Sequence, residues 1–223
     1  MKTILLITIM LIGNIASVLS HDGEWIQFEK APQDLLRGYE EDTFPPAGWS
    51  QEKTCFNLDS YGFGSDLMTK EIFREFELEF DWMLEEGGNS GVFFAIQTGE
   101  PYSYMTGLEI QLLDDAHHPD GMSELTSLGA LYGLSAPLPH GKKNLKLQNM
   151  NSSRLIVKDG RARFFVNQVL IGDYSLNDEE MKAKISESKF KEMKNFYKKD
   201  SGHILLQDHG GKASFCNIRI RPL

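Results

Sequence analysis

Short alternating runs of apolar and polar residues dominate the chain from Gln51 onward. The clearest is Phe76, Leu78, Phe80 and Trp82, interleaved with Glu75, Glu77, Glu79 and Asp81. A period of two predicts a strand with one core face and one acidic face, the latter solvated or paired with basic neighbours. A second run, Gly107–His118, alternates in its first half. Leu108, Ile110 and Leu112 would point one way, and Glu109 and Gln111 the other, roughly 7 Å apart on a sheet surface. It then passes into Asp114, Asp115, His117 and His118, where a strand would give way to a loop. Ile204-Leu205-Leu206 has the same layout, running into Gln207-Asp208-His209-Gly210. These two strand ends are expected to meet on one side of a sheet and form a site.

Other elements follow from similar signals. Thr54–Leu58 reads as a strand. Gly87–Gly91 reads as a tight turn leading into Val92–Ile96, apolar on both faces and therefore central. Two hairpins are expected, turning at Asp159-Gly160 and Asn167-Gln168, the second weaker because it lacks glycine. Pro45–Trp49, Tyr61–Gly64 and Pro137–Gly141 are loops. Between Ser175 and Asn195 the pattern changes to one short helix. Asn177 would cap it, Asp178, Glu179 and Glu180 would fill its first turn, and Met181, Ile185 and Ser188 would share a stripe. His203–Gln207 and Ala213–Arg219 are the last strands. About ten strands with one helix predict an all-β fold, a jelly-roll sandwich of two antiparallel sheets whose curved face leaves a groove.

The start of the chain differs in kind. Met1-Lys2-Thr3, the apolar run Ile4–Ile12 and the small residues Ala16–Ser20 have the layout of a signal peptide, residues 1–20, with an N-terminal anchor as the alternative. The remainder, 21–223, fits a single domain exported or held in a periplasm. No later run is long enough to span a membrane. A formal net charge of −9 argues against nucleic acid and anionic surfaces and leaves neutral sugars unpenalised. Export permits a disulfide between Cys55 and Cys216, and two buried thiols are an equal alternative. Asn151-Ser152-Ser153 is a glycosylation sequon.

For chemistry, Asp114, Asp115, His117 and His118 match no tight metal motif, and no cofactor is expected. Ser90 lacks the Gly-x-Ser-x-Gly elbow, which removes nucleophilic hydrolysis. Glu109, Asp114 and Asp208 supply carboxylates, and His209 supplies a group that titrates near neutrality.

The residues also carry a resemblance. Asp66–Thr69, Phe76-Glu77-Leu78 with Trp82, Gly88–Phe94, Gly107–Gln111 with Asp114, and Gly129–Gly133 are among them. Ser188-Lys189-Phe190, Gly202–Ile204, Leu206–Gly210 and Asn217–Ile220 complete the set. In this order they resemble the 3-keto-disaccharide hydrolase family, over Trp49 to Leu223. The resemblance implies a concanavalin-like jelly roll and an oligosaccharide or glycoside substrate already oxidised to a ketone at carbon 3. On this reading His209 or Glu109 removes the carbon-2 proton; the residues themselves offer Asp208 or Gln207 to orient the groove around His209. Lys189 faces the developing oxyanion, and Gln111 and Gln207 bind hydroxyls. Asn89, Tyr132, Asp114 and His118 are further substrate-binding candidates. Relatives usually carry Arg at Ala95 and Trp at Met150, and often Arg at Cys216 and Asn-Gly at Asn167-Gln168. The Ala95 and Met150 departures favour, as an alternative, a non-catalytic carbohydrate-binding domain; an ordinary two-carboxylate glycosidase on the same fold is a third reading.

Overall fold

The computed structural model describes residues 23–60, 64–139 and 149–223. The leader-like segment 1–20 and the expected loop positions Tyr61–Phe63 and His140-Gly141 lie outside the described residues. Among the described residues, thirteen strands form two antiparallel sheets, as the alternation predicts. The eight-stranded sheet runs β11 (Val169–Ser175), β10 (Arg161–Val166), β9 (Asn151–Lys158), β6 (Phe76–Leu84), β13 (Lys212–Pro222), β4 (Cys55–Asp59) and β3 (Trp49–Glu52). A short β1 (Ile26–Gln27) pairs with β13. The five-stranded sheet runs β2 (Leu36–Gly38), β5 (Leu67–Thr69), β12 (His203–Leu206), β7 (Asn89–Ile96) and β8 (Leu108–Leu113).

The core lies between the sheets. Phe76, Leu78, Phe80 and Trp82 of β6 point into it, and meet Phe94, Leu108, Ile110 and Leu112 of the smaller sheet in one cluster. Each such side chain contributes roughly 1.5–3 kcal/mol by leaving water. The acidic face of β6 pairs with basic neighbours. Glu77 accepts from Arg221 Nε at 2.8 Å and from Arg154, and Glu79 accepts from Arg219 Nε at 2.8 Å. Burial alone would raise the Glu77 carboxyl, but the two guanidiniums outweigh it and hold it below its ordinary range. Trp25 lies against the guanidiniums of Arg219 and Arg221 at 4.4 and 4.8 Å.

Both hairpins form. Asp159 and Gly160 adopt positive φ, as do Asn167 (48°) and Gln168 (69°), so Gln168 takes the turn conformation without glycine. Three local expectations change. Asn89-Ser90-Gly91 is already strand, because β7 begins two residues after the turn glycine Gly87. Helix α2 (Glu179–Glu187) is capped by Asp178, whose carboxylate accepts from Met181 N at 2.8 Å; Asn177 instead accepts from the Tyr197 hydroxyl. A four-residue helix α1 (Pro32–Leu35) and several 3-10 turns accompany α2, so the helical content exceeds one element.

Cys55 and Cys216 are bonded, facing each other in register across β4 and β13 with Cα atoms 3.9 Å apart. The sequon asparagine Asn151 is 2% exposed, its side chain tied to Asn149 and Asn167, so it cannot present a glycan as folded. Ala95 has φ 60° at an irregularity in the β7–β12 pairing. The alternation breaks there: Phe94 and Ala95 both join the inter-sheet core, while Phe93 and Ile96 join the small cluster with Tyr39, Met68 and Leu205.

Candidate active site

A cavity of about 550 Å³ opens on the face of the five-stranded sheet turned away from the core. Its floor follows from strand register. Gly91 pairs with Gln111, and Phe93 with Glu109, so these four residues share the outer face of β7 and β8. Gly91 makes room for Glu109: a Cβ there would overlap Glu109 Oε1 and lie 3.0 Å from its Cγ. Beyond β8 the segment after Ser127 extends the sheet. Gly129 N donates to Gln111 O at 2.8 Å, and Tyr132 N to Glu109 O at 3.0 Å, which brings Tyr132 beside Glu109.

The chain enters from the other side through β12. Gln207 N donates to Gly91 O at 2.9 Å, and Ser90 Oγ to Gln207 O at 2.8 Å, so Gln207 is seated over the glycine strand. Asp208 follows. Its Oδ1 accepts from Gly210 N at 3.0 Å and from the Ser60 hydroxyl, and its own N–H donates to Asp66 Oδ1 at 2.8 Å. Gly64 leaves space for this carboxylate, since a Cβ there would overlap Asp208 Oδ2. His209 then reaches the cavity and meets His118 edge-on, ring centroids 6.4 Å apart. The two strand ends therefore meet, as expected from sequence.

Glu109, Gln111, Asn89 and Tyr132 line the cavity, as do Lys189, Gln207, Asp208 and His209. His118 is not part of the cavity lining: its Nδ1 accepts from the Asp120 amide at 3.1 Å, and its ring meets only the edge of His209. Asp114 is a correction. Its carboxylate turns inward and accepts from Gly87 N, Ala116 N and the His117 ring, tying the β7 turn to the end of β8. Burial would raise it, but these donors outweigh burial and hold it below its ordinary range. It is a turn residue and not part of the cavity lining.

Electrostatics sets the chemistry. Burial pushes the Glu109 carboxyl up to about 8; Lys189 opposes this, while Asp66 and Asp120 add to it. Lys189 is lowered by burial, against the pull of Glu109 and Asp120, and its Nζ lies 4.2 Å from the centre of the Tyr132 ring. A carboxyl that exchanges its proton near neutrality beside an ammonium is suited to proton transfer.

The cavity is also rich in unmatched acceptors. Asn89 Oδ1, Gln111 Oε1, Gln207 Oε1 and Asp208 Oδ2 are buried and have no hydrogen-bond partner. Gln111 Nε2 donates to Thr126 O at 3.1 Å, which fixes its oxygen as the free end. Buried acceptors left unmatched cost stability, and together they call for a ligand with several O–H or N–H donors. Among the described residues, no three His, Cys, Asp or Glu side chains are grouped to hold a metal ion.

Asp66 and the Tyr102-Ser103-Tyr104 segment were not assigned site roles from sequence. Asp66 is half-buried, desolvation raises its carboxyl, and it accepts from both Ser103 Oγ and the Asp208 amide. Its place in the Asp66–Thr69 motif was the available signal; the tyrosines carry none, because their loop reaches the rim only through tertiary contacts. Two departures noted from sequence fall outside the site. Ala95 packs in the core, and Met150 is exposed away from the cavity lining.

A family model described as a 3-keto-alpha-glucoside-1,2-lyase-like domain matches residues 37–221. A 3-keto-disaccharide hydrolase of Bacteroides thetaiotaomicron is 28% identical, over 91% of this chain and 79% of its own length. Among solved structures, a protein from Parabacteroides distasonis described as a glycosyl hydrolase superposes with a TM-score of 0.78 at 24% identity, covering 90% of this chain and 94% of that one. A second from the same organism, described likewise, gives 0.68 at 20% identity, covering 90% of this chain and all of that one. These two likenesses establish the jelly-roll fold.

Proposed function

The chain belongs to the 3-keto-alpha-glucoside-1,2-lyase-like domain family, and on that premise we propose that its cavity cleaves the glycosidic bond of 3-keto-glycosides. The observation that carries this reading is the Glu109 carboxyl, raised to about 8, on a floor ringed by unmatched acceptors. The acceptors suit the hydroxyls of a sugar ring. The carboxyl suits removal of a carbon-bound proton, which a ketone at carbon 3 makes acidic at carbon 2.

In the proposed path Glu109 takes the carbon-2 proton, and the C–H electrons move into the carbon 2–carbon 3 bond as the ketone oxygen becomes an enolate. Lys189 stabilises that oxygen. The enolate electrons return, carbon 1–carbon 2 becomes a double bond, and the carbon 1–oxygen bond breaks. His209, nearer the cavity mouth, gives the departing oxygen its proton. Release at this stage is elimination. Addition of water across carbon 1 and carbon 2 restores the 3-keto sugar and makes the net reaction a hydrolysis. Asn89, Gln111 and Gln207 hold hydroxyls, Tyr132 flanks Lys189, and Asp208 holds the turn that carries His209. The leader-like sequence of residues 1–20 supports an exported protein, and with it a reaction outside the cytoplasm.

The test is turnover of a chromogenic 3-keto-glucoside against its unoxidised parent. The proposal expects release from the ketone alone. Release from the parent points to a two-carboxylate glycosidase, and sugar binding without turnover of either points to a binding domain.

A further inference from the structure

Two large aromatic side chains stand open at one rim of the cavity. Tyr102 is 59% exposed and Tyr104 39%, and both border the cavity. Their rings stack, with centroids 5.4 Å apart and planes within 9°. Neither belongs to the inter-sheet core. Paired aromatic faces left in water are a cost to the free protein and mark a recognition surface.

The pair is braced. Between the two tyrosines in the chain, Ser103 is buried and its hydroxyl donates to Asp66 Oδ2 at 2.5 Å. The other oxygen of the same carboxyl accepts the Asp208 amide at 2.8 Å. On the preceding side, the Tyr39 hydroxyl donates to Glu100 O at 2.9 Å, and the Glu100 carboxylate accepts from the Asn195 side chain at 2.5 Å. One carboxyl, Asp66, thus fixes the height of the aromatic rim relative to Asp208. The floor offers acceptors and the rim offers flat apolar rings. A ligand that fills both has a hydroxyl-rich part and a planar ring with no hydroxyls of its own to satisfy.

We propose that Tyr102 and Tyr104 form an outer subsite that stacks an aromatic leaving group, so that the cavity favours aryl glycosides over those with small alkyl leaving groups. The proposal rests on the 3-keto-glycoside reading and names the leaving group for it.

The experiment compares 4-nitrophenyl and methyl 3-keto-α-glucosides on the wild type and on Tyr102→Ala, Tyr104→Ala and the double variant. The aryl-over-methyl ratio of kcat/KM should fall about tenfold in the double variant, the size of one lost aromatic stack. Phenylalanine at both positions should restore it. A ratio unchanged by removal of the rings overturns the proposal. If the wild type turns over neither ketone, the 3-keto reading fails on its own account. The subsite is then judged by fluorescence titration with unoxidised 4-nitrophenyl α-glucoside. Binding about tenfold weaker in the double variant supports it, and absent or equal binding overturns it.

Discussion

Glu109 and Gly91 share one place on the outer face of the five-stranded sheet: the carboxylate lies where a side chain on the glycine would be. Register puts Gly91 opposite Gln111, one diagonal step from Glu109. The colliding atoms are the free end of a side chain, so Gly91→Ala should fold normally and displace the carboxyl. Turnover should fall about 100-fold, the effect of misplacing a reacting group by roughly 1 Å. The check is steady-state kinetics beside an unchanged circular dichroism spectrum.

The pH profile of kcat/KM reports the role of Glu109. As the base it works ionised, and burial holds it mostly protonated below about 8. The acidic limb should rise about tenfold per pH unit and report Glu109, and the alkaline limb should fall as His209 loses the proton it gives to the leaving oxygen. Loss of the falling limb in Glu109→Gln, with the rising limb kept, would assign Glu109 to the acid step.

Glu109→Gln should abolish this rise and also stabilise the protein in alkali. A carboxyl whose folded pKa lies above its unfolded one stabilises below the unfolded value and loses that contribution as pH climbs through the folded one. Above about pH 8 the wild type therefore carries a buried charge that the amide does not. The expected gain at pH 9 is at most roughly 5 kcal/mol, or about 10–20 °C in Tm. Thermal melts at pH 5 and pH 9 measure it; an equal gain at both rejects the ionisation account.

Gln207 separates binding from folding. Its Oε1 is buried and unmatched in the free protein, so Gln207→Leu removes a cost as well as an acceptor. KM should rise roughly threefold to tenfold while Tm holds or increases. A fall in Tm of several degrees would mean that the amide serves the fold instead.

The Cys55–Cys216 bond closes a separation of 161 residues within the eight-stranded sheet, away from the cavity. Replacing both by alanine should lower stability by about 3 kcal/mol, or roughly 6–12 °C, and leave turnover at 25 °C intact. Differential scanning calorimetry and a parallel assay decide it.

The parts legible in sequence share one property, that neighbours along the chain decide them. Phe76–Trp82 shows its core face because no other spacing buries four large side chains together. Glu109 and Gln111 face one way for the same reason. Asp114 escaped because an acid at a strand end serves equally as ligand or as cap, and only the approach of Gly87 determines which. Asn177 and Asp178 are both good caps, and Tyr197, twenty residues away, takes the first out of contention. Asp66, Ser103 and Asp208 join across more than a hundred residues, which no local pattern records.

The position of β12 has a consequence for how the molecule comes into being. His203–Leu206 is the inner rung between β5 and β7, so the β2–β5 pair and the β7–β8 pair stay unjoined until that late stretch arrives. Closure over so long a span is slow. Glu109 and Gln111 can therefore stand side by side on β7–β8 well before Gln207 and His209 arrive, and competence waits for those last residues.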